Sequence, residues 1–118
     1  MGRYENIIVI SPDCSKEEEE ELLKRIRANL EKFGSTILRM DDWAVRKLAY
    51  PIKKKEKGHY FFLLLEADEA NMANINKFYK TLDMVLRHML VRVDDKQNGL
   101  EKPPDHVVFD ELEGEFSN

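Results

Sequence analysis

The chain has 118 residues and a formal net charge of −4, with 36% charged and 42% hydrophobic residues. This length supports one domain whose thin core separates two layers of secondary structure. The single Cys14 excludes an internal disulfide, and the sequence has neither the apolar stretch of a membrane helix, about 20 residues long, nor that of a signal peptide, so we expect a cytoplasmic protein.

Acidic residues are concentrated near the C-terminus. Residues 1–93 contain seventeen basic and fifteen acidic side chains, whereas residues 94–118 contain two basic and eight acidic ones. The second segment is also poor in apolar residues and includes Pro103-Pro104. Because such a composition cannot bury enough surface to order itself, we expect a mildly basic folded domain over residues 1–93 and a flexible acidic tail over residues 94–118.

The start of the domain predicts a strand followed by a helix. Tyr4–Ile10 is a short run rich in β-branched apolar residues, which is typical of a strand. Ser15 and Glu18 then have the spacing of a capping box, and apolar residues recur at helical spacing behind them. Gly34 supplies the left-handed residue that commonly ends a helix.

The rest of the domain predicts a hairpin, a second helix and a last strand. Residues 35–66 have the pattern of a long β-hairpin with its turn at Lys53–Gly58. Asp68 is placed to cap the second helix, and Val85–Val93 is the last strand. The order βαββαβ indicates an α+β ferredoxin-like sandwich, in which a four-stranded antiparallel sheet carries both helices on one face.

The strand at Tyr60–Leu65 is apolar at every position, whereas a strand with one wet face should alternate. One alternate set of residues should meet the helices while the other faces away, and the pattern leaves open which is which. The two sets are Phe61, Leu63 and Leu65, and Tyr60, Phe62 and Leu64. In either case an apolar patch lies on the open side of the sheet, and we expect a partner to cover it.

Positive charge is concentrated in the hairpin. Residues 45–58 hold six of the nineteen Lys and Arg with one acid among them. Clustered cations bind phosphate backbones by releasing counterions, although lysines can also simply keep a hairpin soluble and its edge unpaired. Trp43 and Tyr50 could stack on bases or pack on the sheet. We expect the hairpin turn to contact phosphates by charge rather than bases by shape.

Residue types that perform catalysis or bind metals do not cluster. His59, His88 and His106 lie far apart without metal-ligand spacing, and Cys14 has no neighbouring His. The five glycines are scattered and form no phosphate-binding loop. The sequence therefore predicts a binding protein without cofactor, metal or small-molecule substrate, rather than an enzyme.

Three motifs carry a resemblance to a known family. They are Arg3-Tyr4-Glu5, the run Val45–Lys53 that leads to Gly58, and Leu86-Arg87-His88. In this order and spacing, over residues 3–93, the chain resembles the family of the sixth protein of the bacterial small ribosomal subunit.

This resemblance implies a ferredoxin-like fold without catalytic activity and a structural role in subunit assembly and translation. It also implies binding to the central domain of small-subunit ribosomal RNA together with a small basic neighbour, the eighteenth protein of that subunit. The residues expected to bind RNA or this partner are Arg3, Tyr4, Arg46, Lys47, Tyr50, Lys53, Lys54, Lys55, Lys57, Arg87 and Arg92.

One departure from the family pattern concerns Ala44. Family members commonly carry glycine at this position, just before the hydrophobic-basic-basic run. If the position requires a positive φ, alanine costs about 1 kcal/mol.

Two alternatives share the same element order. An RNA recognition module would stack single-stranded bases on aromatic residues of its first and third strands, but Tyr60 and Leu64 depart from that signature. A small-molecule-sensing or acylphosphatase-like domain would need an anion loop or a glycine-lined site, and neither is visible in the sequence.

Overall fold

The computed structural model describes residues 2–93 and confirms the ferredoxin-like sandwich. The four strands form one antiparallel sheet in the order β2-β3-β1-β4. The elements in chain order are β1 (Gly2–Ile10), α1 (Lys16–Lys32), β2 (Thr36–Ile52), β3 (Lys55–Ala67), a 3₁₀ turn (Glu69–Asn71), α2 (Met72–Lys80) and β4 (Val85–Val93). The predicted acidic tail over residues 94–118 lies outside the described residues. Neither α1 nor α2 is long and apolar enough to cross a membrane.

Helix α1 begins and ends as its sequence predicts. The hydroxyl of Ser15 accepts a hydrogen bond from the Glu18 backbone N–H at 3.1 Å, and the Glu18 carboxylate accepts one from the Ser15 N–H at 3.0 Å. Hydrogen bonding of the Glu18 carboxylate by the Ser15 backbone N–H, and to a smaller extent by the Ser15 side chain, lowers the pKa of Glu18 because it favours the ionised form. At the other end Gly34 has a φ of 79°, which turns the chain into β2.

The second helical segment begins with a tighter turn than predicted. Asp68 accepts a hydrogen bond from the Ala70 backbone N–H at 3.1 Å, but the turn that it caps is 3₁₀, and the α-helix follows from Met72. Helix α2 is therefore only nine residues long. Its buried residues Ile75 and Tyr79 pack against the sheet.

A buried polar cluster lies beneath α2. The Tyr79 hydroxyl donates to Asn6 Oδ1 at 2.5 Å, and Asn6 Nδ2 donates to the Met89 carbonyl at 2.7 Å. The ring of His88 stacks on Tyr79 with centroids 4.9 Å apart, and its Nε2 lies 3.2 Å from Asn76 Oδ1. Burial raises the pKa of Tyr79 far above its usual value, so the phenol stays a hydrogen-bond donor.

The apolar strand β3 has both faces buried, and the structure resolves which set meets the helices. Phe61, Leu63 and Leu65 belong to the core beneath the helices. The alternate set joins Ile7 and Val9 of β1 in a second cluster on the opposite face. That alternate set is Tyr60, Phe62 and Leu64.

The expectation that a partner covers an exposed apolar patch on this opposite face is wrong, because the chain covers the face itself. Phe62 is 0% exposed, and its ring stacks on Trp43 of β2 with centroids 4.9 Å apart. Leu48 and Ile52, farther along β2, belong to the same cluster. The register of β2 against β3 shifts after Asp42 and again after residue 47, so the outer half of the hairpin departs from a regular ladder.

The hairpin turn is shorter than the predicted Lys53–Gly58. Only Lys53 and Lys54 lie between the strands, with φ values of 49° and 66°, as in the two-residue turns that twist with their strands. Gly58 lies within β3 instead. A Cβ at this position would collide with Cγ1 of Val9, so the glycine permits close packing rather than a turn.

Ala44 adopts the positive φ suspected from the family pattern. Its φ is 67°, and its backbone N–H donates to Asp42 Oδ1 at 2.8 Å. The residue occupies the second of three irregularities in the pairing of β2 with β3, between the register positions of Asp42 and Val45. Strand β2 therefore bends at a non-glycine residue.

Candidate nucleic-acid interface

The outer half of the hairpin brings most of the predicted cations together. Arg46 lies opposite Gly58, and Lys47 lies opposite Lys57. Both β2 cations are exposed, as are Lys57 and the turn residue Lys54. Within residues 2–93, these four side chains form no ion pair. The result is a cluster of uncompensated positive charge on one arm of the fold, which we call the cation arm (residues 46–57).

Two lysines of the cation arm contact the rest of the domain. Lys55 forms an ion pair with Asp13 in the loop between β1 and α1. The Nζ of Lys53 donates to the backbone carbonyl of Asp83, before β4, at 3.3 Å. These contacts hold the tip against the end of the sheet, and they reduce the positive charge that Lys55 offers to a ligand.

Arg46 is anchored at its base by the backbone. Its Nε donates to the Trp43 carbonyl at 2.9 Å, and the guanidinium forms no other hydrogen bond or ion pair with the described residues. A side chain bound at Nε alone keeps two nitrogens available for an anion. This geometry suits a phosphate contact.

A histidine of β3, His59, lies next to the cation arm. His59 Nδ1 is 2.8 Å from Glu19 Oε2 of α1, and Nε2 is 2.6 Å from Asp42 Oδ1 of β2. Burial opposes ionisation of Asp42, but hydrogen bonds from His59 and from the Ala44 N–H outweigh it, so the pKa of Asp42 is lowered. Nothing in the sequence indicated this contact, because Glu19, Asp42 and His59 are distant from one another along the chain.

The remaining predicted site residues do not join the cation arm. Arg92 lies near the other end of the sheet, opposite Tyr4, with its Nη1 3.5 Å from Glu69 Oε2. Arg3 lies at the same end, about 20 Å along β1 from Val9, which neighbours the hairpin.

Tyr4 and Arg87 are less accessible than the site prediction requires. Tyr4 is 4% exposed and packs in the core beneath the helices, so it presents no surface to RNA. Arg87 pairs with Val9 in the sheet and is partly buried, which lowers its pKa because burial penalises the charged form.

Exposed apolar residues accompany the cations. Val45 is 56% exposed and Tyr50 is 41% exposed, whereas Trp43 is buried. The structure thus separates the two aromatic residues that the sequence left undecided: Trp43 packs on the sheet, and Tyr50 is available to a ligand. Val45 was absent from the predicted set because a valine in a strand is usually a packing residue.

Comparison with known proteins points to one protein family. The family model described as ribosomal protein S6 matches residues 3–92. The small ribosomal subunit protein bS6 of Caldanaerobacter subterraneus subsp. tengcongensis is 36% identical over 95 residues, covering 80% of this chain and 100% of the relative. The bS6 of Fusobacterium nucleatum subsp. nucleatum is 35% identical over 94 residues, with coverage of 80% and 100%.

A solved structure agrees with these relatives. The crystal structure of 30S ribosomal protein S6 from Thermotoga maritima superposes with a TM-score of 0.74 at 28% identity, covering 78% of this chain and 87% of that one. The family match, the structural match and the motifs quoted above all fall within the described domain. The chain belongs to the ribosomal protein S6 family.

Proposed function

We propose that this protein is a structural component of the small ribosomal subunit in the cytoplasm, where it binds the central domain of the ribosomal RNA. The observation that carries the proposal is the cation arm, because four of its six cations are exposed and unpaired among the described residues. Membership of the S6 family supports the ribosomal setting. The role is one of binding and needs no catalytic group.

The cation arm suits contacts to phosphates more than contacts to bases. Lys54 and Lys57 lie in and next to a two-residue turn, and lysine acts as a point charge without a fixed geometry. If four cations each neutralise one phosphate, the logarithm of the binding constant should fall with the logarithm of salt concentration with a slope of about −3 to −4.

The same arm supports a protein partner, which we propose to be the eighteenth protein of the small subunit. Because the sheet face opposite the helices is already buried, with Trp43, Leu48 and Ile52 of β2 in its apolar cluster, this partner would contact the exposed outer side of β2 rather than that face. Val45 and Tyr50 provide apolar contact area there, and such residues usually mark interfaces when they are grouped with polar ones.

Stacking of single-stranded bases on the sheet fits the structure less well than phosphate contacts by the cation arm. An RNA recognition module needs exposed aromatic rings on its open face. Tyr60 and Phe62 lie on that face, but they are only 7% and 0% exposed. The exposed Tyr50 is on the hairpin instead.

The proposal is tested by binding of the full chain to a fragment of the ribosomal RNA central domain, with and without the eighteenth protein. We expect Lys54→Gln with Lys57→Gln to weaken RNA binding about tenfold at low salt and to make the salt slope shallower by about 2. The matched control is Lys24→Gln with Lys77→Gln, which removes two exposed lysines from the helices. Equal losses from the two pairs would contradict a specific role of the cation arm.

A further inference from the structure

Hydrogen bonds connect helix α1 to the bend in β2 through His59. One ring nitrogen of His59 meets Glu19 on α1 and the other meets Asp42 on β2, at 2.8 and 2.6 Å. The ring also stacks on Phe61, with centroids 4.2 Å apart. Three contacts from three elements therefore fix this imidazole in one orientation.

The hydrogen bonds continue from Asp42 to Arg46. The Asp42 oxygen that meets His59 also accepts the Ala44 N–H at 2.8 Å, and Ala44 is the residue whose φ of 67° bends the strand. The bend places the preceding carbonyl, that of Trp43, 2.9 Å from Nε of Arg46. His59 and Arg46 are thus joined through one carboxylate and one backbone bulge.

We infer that His59 is a positioning residue for RNA binding, which holds the bulge at Ala44 through Asp42 and thereby orients the guanidinium of Arg46 toward a phosphate. The inference rests on the proposed function, since it assigns a role within the same binding site. His59 acts through Asp42 and the backbone and need not touch RNA.

A double-mutant cycle tests the coupling. Binding of the full chain to the central-domain RNA fragment is measured for wild type, His59→Gln, Arg46→Ala and the double variant. We expect His59→Gln to weaken binding about three- to tenfold in the wild-type background and less than about twofold in the Arg46→Ala background. A purely structural role of His59 would give the same loss in both backgrounds.

Asp42→Asn provides an independent variant, because the Asp42 side chain is 60% exposed and its replacement leaves the core intact. Like His59→Gln, Asp42→Asn should weaken RNA binding in the wild-type background and have little effect when Arg46 is alanine. Additive losses in both cycles would overturn the inference while leaving RNA binding itself in place. Absence of RNA binding by the wild-type chain would overturn the proposed function, and this inference with it.

Discussion

The indole ring of Trp43 lies flat against the phenyl ring of Phe62, with centroids 4.9 Å apart and ring planes 13° apart. This stack joins the bend of β2 to the sheet face opposite the helices. Both residues are almost fully buried, at 5% and 0% exposure. The contact therefore belongs to the core, and it also supports the cation arm.

Removing the indole ring of Trp43 should destabilise the domain. We expect Trp43→Ala to reduce the free energy of unfolding by about 3 to 5 kcal/mol, because it leaves a cavity against Phe62. Tyr50→Ala, which truncates an aromatic residue that is 41% exposed, should cost less than about 1 kcal/mol. Urea denaturation followed by circular dichroism measures both, and similar losses would contradict the assignment of Trp43 to the core.

Replacing Ala44 should stabilise the domain. Ala44→Gly relieves the positive φ of 67°, and we expect a gain of about 0.5 to 1 kcal/mol in the free energy of unfolding. Ala49→Gly is the control, since Ala49 lies in the same strand with a negative φ and should lose stability on substitution. A destabilised Ala44→Gly variant would show that its backbone carries no strain.

Acidification should weaken the fold through His88. Burial, with repulsion from Lys80 and Arg87, lowers the pKa of His88 from 6.5 to about 4. As pH falls below the unfolded value, the unfolded chain binds a proton that the folded chain does not, so stability is lost until the folded pKa is reached. Between about pH 7 and pH 5 we expect wild type to lose about 2 kcal/mol more than His88→Gln in denaturant titrations. Parallel pH dependence of the two proteins would contradict this account.

The lysines of the cation arm should contribute unequally to RNA binding. Lys55 already pairs with Asp13, so Lys55→Gln should change the salt slope by less than 1, whereas Lys54→Gln should change it by about 1. Removing the partner carboxylate provides the converse test. We expect Asp13→Asn to strengthen RNA binding and to make the salt slope steeper, and filter binding over a salt series measures both effects.

Much of the fold follows from local sequence signals. Ser15 and Glu18 mark the start of α1, Gly34 marks its end, and the limits of β4 are those predicted. These features depend on residues close together in the chain, where capping and periodicity act directly.

The two-residue turn of the hairpin and the packing of its outer half could not be predicted in this way. Lys53 and Lys54 both have positive φ values, but neither is the glycine or asparagine that usually occupies such a turn. Leu48 and Ile52 belong to a cluster that includes residues of β1 and β4, far away in sequence. As a result, the sequence indicated which residues of β2 are cationic but not that apolar residues of the same strand join the buried cluster on the sheet face opposite the helices.

The second apolar cluster has a consequence for synthesis of the protein. It contains Leu86 and Met89 from β4 as well as Leu48 and Ile52 from the hairpin. The surface against which the hairpin packs is therefore complete only after the last strand has left the ribosome that makes it. A growing chain that ends before β4 carries the same lysines without the two β4 residues that complete this cluster, so we expect the hairpin to reach its final packing only after β4 has been synthesised.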